Sequence, residues 1–294
     1  MTTVLDDMVS RPGSTVSLLR TVVGLYLRDA GGWMPTRALL ELMAALGAPA
    51  PQARTALSRV KQRGVLVAAA RDGLPGFALA DGARPMLERG DRRIDEPRSM
   101  GPGDDWCVIV FSVPEEERER RHQLRRRLRW VGCGTVSPGV WICPDFLRDE
   151  VQDILAELGL ADRAVLFTTR GLPAAADLPG AIAQWWDLEH LAALHRGFLE
   201  KCSAVPATAP APTAGTFADY VRCIDHWRVI PYLDPGLPPE CLPADWPGAE
   251  GVELFLRIRD THAGPAAAFV RGVLAAGPSP ELSSAGPAEG PSRS

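Results

Sequence analysis

The sequence predicts an α+β protein built from three units, and three observations carry that expectation. Within the first hundred residues, three amphipathic helical stretches precede two short strand-like runs joined by a Gly/Pro-marked turn. From Trp106 to Thr169 strand and helix patterns alternate, and beyond that helical periodicity dominates to about residue 275. With 294 residues, 46% hydrophobic and 23% charged, the composition is that of an ordinary soluble globular chain long enough for two or three domains.

Residues 1–14 are polar and expected to be flexible. The first unit, 15–92, opens with a helix through Val16, Leu19, Val22, Val23, Tyr26 and Leu27, stopped before Gly31-Gly32. Pro35 and Thr36 suit the start of a second helix, which runs through Leu39, Leu42 and Met43 to Gly47. Pro51 opens a third, with Ala53, Ala56, Leu57 and Val60 on its buried stripe and Gly64 as its C-cap. VLVAAA and GFALA then read as a strand pair across RDGLP, and ARPMLERG as a short fourth helix.

A polar, Pro/Gly-marked linker, 93–104, leads to the central unit, 105–176. There the strand DWCVIVFSVP, the helix EEERERRHQLRRRLRW, the turn and strand GCGTVSPGVWICP, the helix LRDEVQDILAELGL and the strand RAVLFTT follow in order. That order implies a ferredoxin-like, split-βαβ sandwich. The C-terminal unit, 177–275, is mostly helical and begins with one aromatic helix, AIAQWWDLEHLAALHRGFLEKC. A Pro/Ala-rich loop follows, then the helices FADYVRCIDHWRVIPYL and AEGVELFLRIRDTHAGPAAAFVRGVL. Residues 276–294 are poor in apolar side chains and expected to be disordered.

Three helices followed by a two-stranded hairpin is the winged helix-turn-helix order, in which the third helix enters the major groove. Charge agrees with that reading. The whole chain carries −4, yet from Arg11 to Ile94 there are 13 Lys/Arg against 6 Asp/Glu. The third helix leaves Gln52, Arg54, Thr55, Ser58 and Arg59 exposed opposite its apolar stripe. Arg and Gln suit guanine and adenine edges, whereas Thr55, Ser58 and Lys61 suit phosphates. Arg71 in the wing turn is placed for a minor groove or a phosphate. With Thr36, at the start of the second helix, these are the candidate DNA contacts. The plainer alternative is a surface helix with arginines for solubility; the hairpin at the correct distance and the local charge argue against it.

Three stretches carry a family resemblance. They are SLLRTVVGLYLRDAGGWMPTRALLELMAALG followed by RTALSRVKQRGVL, then WCVIVFSVPEEERERRHQLRRRLRWVGCGTVSPGVWICP, and the Trp/Pro-rich HWRVIPYLDPGLPPECLPADWPG. Together they resemble the PaaX-like transcriptional repressors over roughly residues 15 to 275. The resemblance implies a cytoplasmic, dimeric repressor bound to double-stranded operator DNA at an inverted repeat. It further implies release of that DNA by an acyl- or aryl-coenzyme A thioester, phenylacetyl-coenzyme A being the type effector. Cys133 stands where the family usually has Phe, which bears on a pocket wall and hence on the effector.

Candidate effector contacts lie in the second and third units. The arginine-rich helix 115–130 supplies Arg125 and Arg129, planar donors suited to phosphates. Dipole-matched solvation and DNA-backbone contact are equally compatible with its charges. Trp130, Trp141 and Trp227 are candidate pocket walls, and His226, Arg228 and Asp234 the convergent polar groups. As an alternative, Arg228 and Asp234 form a buried pair that holds the loop.

Other classes fit less well. A metal-dependent nuclease of ferredoxin-like shape needs a carboxylate at the end of the first strand. FSVPEE puts Ser112 and Pro114 there, and no catalytic residue, metal or cofactor is expected. A protein-interaction adaptor has no use for Arg54, Arg59 and Arg71. The six cysteines show no metal-ligand spacing and read as free thiols of a reducing compartment. No signal core or membrane-spanning run is present, so the expectation is a cytoplasmic protein.

Overall fold

The structure is a computed structural model that describes residues 11–172, 177–208 and 210–276. The expectations for 1–10 and 277–294 therefore fall outside the described residues. Mixed α/β content with two antiparallel sheets is observed.

In the first unit α1 (Thr15–Val22) is N-capped by Ser14, whose side chain accepts from the Ser17 amide, and continues as a π-helical turn over Val23–Leu27. Then come β1 (Trp33–Pro35), α2 (Thr36–Ala45), α3 (Ala50–Gln62), β2 (Leu66–Arg71), β3 (Leu74–Leu79) and α4 (Ala83–Asp95). The sheet order is β1-β3-β2. Two features differ from the sequence reading. The hairpin turn is only Asp72-Gly73, both at positive φ (50° and 75°), the pattern of a type I′ turn that matches strand twist. Arg71 is thus the last strand residue, not part of a loop. Trp33–Pro35, a segment too short to show periodicity, adds a third strand against β3. Gly76 permits it, since a Cβ there would collide with the Met34 carbonyl and, at 2.6 Å, with the Trp33 ring.

The central unit is β4 (Trp106–Phe111), α5 (Arg118–Trp130), β5 (Gly134–Ser137), β6 (Val140–Pro144), α6 (Arg148–Glu157) and β7 (Ala164–Thr169). GCGTVSPGVWICP holds two strands, where the sequence suggested one. The sheet is fully antiparallel in the order β5-β6-β4-β7. Strand alternation sends Cys107, Ile109 and Phe111 to the helix-covered face and Trp106 to the other.

The long aromatic helix of the third unit is broken: α7 (Leu178–Trp185) ends before Trp186, and Asp187 caps α8 (Leu188–Cys202) by accepting from the His190 amide at 3.0 Å. Next are α9 (Ala214–Trp227), the single turn α10 (Ile230–Leu233) and the 28-residue α11 (Gly248–Ala275). Ile182 of α7 and Trp186 just after it cover part of the open sheet face against Trp106 and Ile142.

The units are not packed as three separate beads. Leu19, Leu27, Met34 and Leu39 of the first share one core with Phe198, Phe217, Trp227 and Phe255 of the third. The central unit has its own core, which Tyr232 joins by stacking on Trp130 at 5.4 Å.

Candidate nucleic-acid interface and interdomain cavity

Helix α3 is two-sided as its sequence requires. Ala53, Ala56, Leu57 and Val60 are buried, while Gln52, Arg54, Thr55, Ser58, Arg59 and Lys61 are exposed. Thr55 turns its hydroxyl back to the Pro51 carbonyl at 3.0 Å, the usual in-helix bond of a threonine. Among the described residues the side chains of Arg54, Arg59 and Lys61 form no ion pair or hydrogen bond, so their donors are available. Thr36 is half-buried at the first turn of α2. Arg71, exposed at the hairpin tip, lies over the Trp33 ring at 5.5 Å and donates to the Gly31 carbonyl at 3.3 Å. That platform holds the guanidinium at the hairpin's edge.

The first unit is braced from behind by a fully buried carboxylate. Asp225 of α9 accepts from the Gly13 amide at 2.6 Å, from Ser17 Oγ at 2.6 Å and from Thr21 Oγ1 at 2.8 Å. Arg228 closes the network, 3.3 Å from Asp225 and 2.9 Å from Ser17 Oγ. A buried charge so surrounded by donors is satisfied, and α1 is thereby pinned to the third unit. Arg228 and Asp234 are not partners of each other. Asp234 instead accepts from His195 Nε2 at 2.8 Å and from the Gly236 amide at 2.9 Å.

A cavity of about 870 Å³ opens where the three units meet. Its walls are Arg92 and Arg93 from α4, Arg98 after it, Phe146 and Glu150 from the central unit, and His195, Trp227, Asp234 and Trp246 from the third. Arg93 bridges units: it pairs with Glu150 at 3.2 Å, donates to the Val131 carbonyl at 3.0 Å and lies over Tyr232 at 5.3 Å. Arg98 lies over Phe146 at 5.0 Å. Trp227 stacks on Phe255 at 4.5 Å and donates its indole N–H to the Ile94 carbonyl of α4. Gly236, at φ 71°, lets the loop pass hard against the Arg98 carbonyl, where no Cβ would fit.

Of the eight effector candidates, Trp227 and Asp234 line this cavity and the other six do not. Arg125 donates to the Pro138 carbonyl at 2.7 Å, and Arg129 lies over Trp141 at 5.5 Å. Trp141 is 1% exposed in the central core, and Trp130 is occupied by Tyr232. Arg228 faces α1. His226 is half-buried on α9, and desolvation lowers its pKa. Cys133 is buried in the central core, with Cys143, and does not wall the cavity. All six cysteines are free and buried. Sequence reasoning missed Arg92, Arg93 and Arg98, because a polar stretch next to a linker carries no sign of what it folds against.

Among the described residues no group of three or more His, Cys, Asp or Glu is placed to hold a metal ion, and no helix is long and apolar enough to cross a membrane.

Comparison with known proteins gives matches along the chain. The PaaX-like protein family matches residues 14–83, the PaaX protein central Cas2-like domain 101–179, and the PaaX-like protein C-terminal domain 186–272. Over 267 residues, 88% of this chain and 84% of the relative, the sequence is 26% identical to the transcriptional repressor PaaX of Escherichia coli (strain K12). A solved structure, that of an uncharacterized protein, Rv0674, from Mycobacterium tuberculosis, is similar with a TM-score of 0.57 and 25% identity, covering 88% of this chain and 99% of that one.

Proposed function

Because the chain belongs to the PaaX-like family, we propose that it is a DNA-binding transcriptional repressor controlled by a small molecule. One observation carries the reading: α3 buries its apolar stripe and presents Gln52, Arg54, Thr55, Ser58 and Arg59 unshielded beside an arginine-tipped hairpin. The first unit is then a winged helix-turn-helix with α3 in the major groove and Arg71 on the wing. The central unit, with its β-α-β-β-α-β order, is the ferredoxin-like scaffold. Two copies place their α3 helices on the half-sites of an inverted repeat, about one helical turn apart. The name of the Escherichia coli relative supports repression rather than catalysis.

The effector seat in this reading is the cavity at the junction of the units. Its volume falls in the range of small-molecule sites, with Trp227 and Trp246 as apolar walls and Arg92, Arg93 and Arg98 as donors for an anionic group. An acyl- or aryl-coenzyme A thioester supplies both kinds of surface. α4 is the coupling element: it follows the wing, bonds the end of the π-helical turn that continues α1 through Arg28–Asp91, and enters the cavity with Arg92 and Arg93. A ligand that draws Arg93 away from Glu150 binds one position of α4 better than the other, which is the differential affinity any release mechanism needs.

The test is a mobility-shift titration on the DNA upstream of its own gene, with and without a panel of thioesters. The reading expects specific, salt-sensitive binding that one thioester releases. Specific binding indifferent to every thioester would discard the effector assignment, and absence of specific binding would discard the repressor.

A further inference from the structure

The two edges of the central sheet are finished differently. β5 is four residues long, its ladder with β6 slips between Thr135 and Ser137, and the Trp186 ring packs on Gly134, 2.7 Å from where a Cβ would sit. β7 is six residues long, keeps an unbroken register with β4 and contains neither Pro nor Lys. Short or bulged strands blunt an edge, whereas a long regular one is a template for another strand. Among the described residues no segment pairs with the outer side of β7.

The same strand leaves apolar side chains in solvent. Val165 stands opposite Val110 and Phe167 opposite Val108, so the four share one face. Val165 is 55% exposed and Phe167 54%, the highest values among the large hydrophobic side chains described, because Ile182 and Trp186 cover only the other end of that face. The backbone is equally unpaired. The Ser112 amide donates to the Arg163 carbonyl at 3.1 Å, and bonded pairs recur at every second residue of an antiparallel ladder. Val165, Phe167 and Thr169 therefore turn their backbone groups to β4, while Ala164, Leu166 and Thr168 turn theirs outward.

We infer that the outer edge of β7 pairs antiparallel with β7 of a second copy of this chain, with the two-fold axis at Leu166. Leu166 then exchanges both backbone bonds with its counterpart, as do Ala164 and Thr168 of opposite copies. Val165 meets Phe167 of the second copy on the shared face, a β-branched–aromatic pair of the kind that stabilises sheets. Charge selects this occupant and this direction. Asp162 precedes Leu166 by four positions and Arg170 follows it by four, both largely exposed. Antiparallel self-pairing brings each aspartate to the arginine of the other copy, whereas parallel pairing would set like charges side by side. Within the chain Asp162 lies 3.9 Å from Arg163 and Arg170 3.3 Å from Asp105, surface pairs that contribute little. Residues 173–176, outside the described residues, are one Pro and three Ala and leave this balance unaltered. The inference rests on the proposed function, in which two copies share an inverted repeat, and names the surface that joins them.

The test is sedimentation equilibrium of the full chain without DNA, over a wide concentration range. Wild type shows a monomer–dimer equilibrium. D162R and R170D each raise the dimer Kd about tenfold, since each turns two opposite-charge contacts into like-charge ones. An equimolar mixture of the two variants restores wild-type association, because every contact across the axis between unlike chains again joins opposite charges. An effect confined within one chain is not rescued by mixing. F167T, a change of an exposed side chain, weakens association without lowering the thermal midpoint. A monomeric wild type, a dimer that both charge variants leave intact, or losses that mixing fails to restore would each overturn the inference. Mobility shifts on the upstream DNA separate the two readings. A wild type that dimerises in this way and binds no DNA sinks the repressor and leaves the interface. One that binds DNA while failing the mixing experiment sinks the interface alone.

Discussion

Two helices of this protein are rich in arginine, and they use it in opposite ways. On α5, Arg120 reaches the Leu158 and Gly159 carbonyls and Glu117, Arg121 pairs with Glu115 at 2.6 Å, and Arg125 caps the Pro138 carbonyl. Arg127 holds Glu157 of α6 at 2.8 Å, and Arg129 covers Trp141. These side chains bind the central unit together. On α3, Arg54 and Arg59 touch no partner among the described residues and stand in solvent. Engagement, not abundance, separates structural arginines from those offered to a ligand. The sequence pointed to α5 for phosphate binding because it counts charges but cannot show which carbonyls they meet.

The largest expected effect attacks the brace behind the first unit. Asp225→Ala leaves Arg228 buried without its carboxylate and strips acceptors from Gly13, Ser17 and Thr21. Loss of about 3–5 kcal/mol in urea denaturation follows from breaking a buried pair on one side. A loss below about 1 kcal/mol would show that the brace is dispensable.

Substitutions on the two helices should then diverge. R54A and R59A each cost about 1–3 kcal/mol of specific DNA binding and relax base preference, with the melting temperature unchanged. R127A does the opposite: the α5–α6 contact weakens by about 1 kcal/mol, read as a lower denaturation midpoint, and DNA binding is untouched. A smaller effect belongs to the wing, where R71A weakens specific and nonspecific binding alike and lowers the salt slope by about 1.

The smallest effect is on pH. Burial lowers the pKa of His226 and of His262 below the ordinary 6.5. The unfolded chain thus binds these protons more readily than the folded one. Stability is fully present above pH 6.5 and declines as pH falls through that value toward the depressed folded ones. H226Q and H262Q should flatten the acid side of the thermal-denaturation profile between about pH 7 and 5. An unaltered profile would remove these histidines as the cause.

Much of the fold was legible because short-range rules decide it. Apolar stripes placed α1, α2 and α3, the Gly/Pro-marked RDGLP located the hairpin though not its two-residue turn, and alternation with helices gave the central order but for one of the two strands in GCGTVSPGVWICP. What was not legible depends on distant residues. Trp33–Pro35 becomes a strand only because Gly76 across the sheet leaves room for it. The break at Asp187 is a cap inside a continuous apolar pattern. For the site, the α3 surface was readable from one helix's periodicity. The cavity was not, since Arg92 and Arg93 meet Trp227 and Asp234 only after residues more than a hundred positions apart in the chain pack together.

The central claim is that unpaired arginines on α3 bind operator DNA while paired ones on α5 hold the fold. The most direct measurement is a set of equilibrium binding isotherms on the protein's own upstream DNA for wild type, the double variant R54A/R59A and the double variant R120A/R127A. The account predicts that the first pair loses specific binding at full stability, and that the second keeps wild-type affinity with a lowered denaturation midpoint. Equal losses of affinity in both doubles, or a loss confined to R120A/R127A, would contradict it.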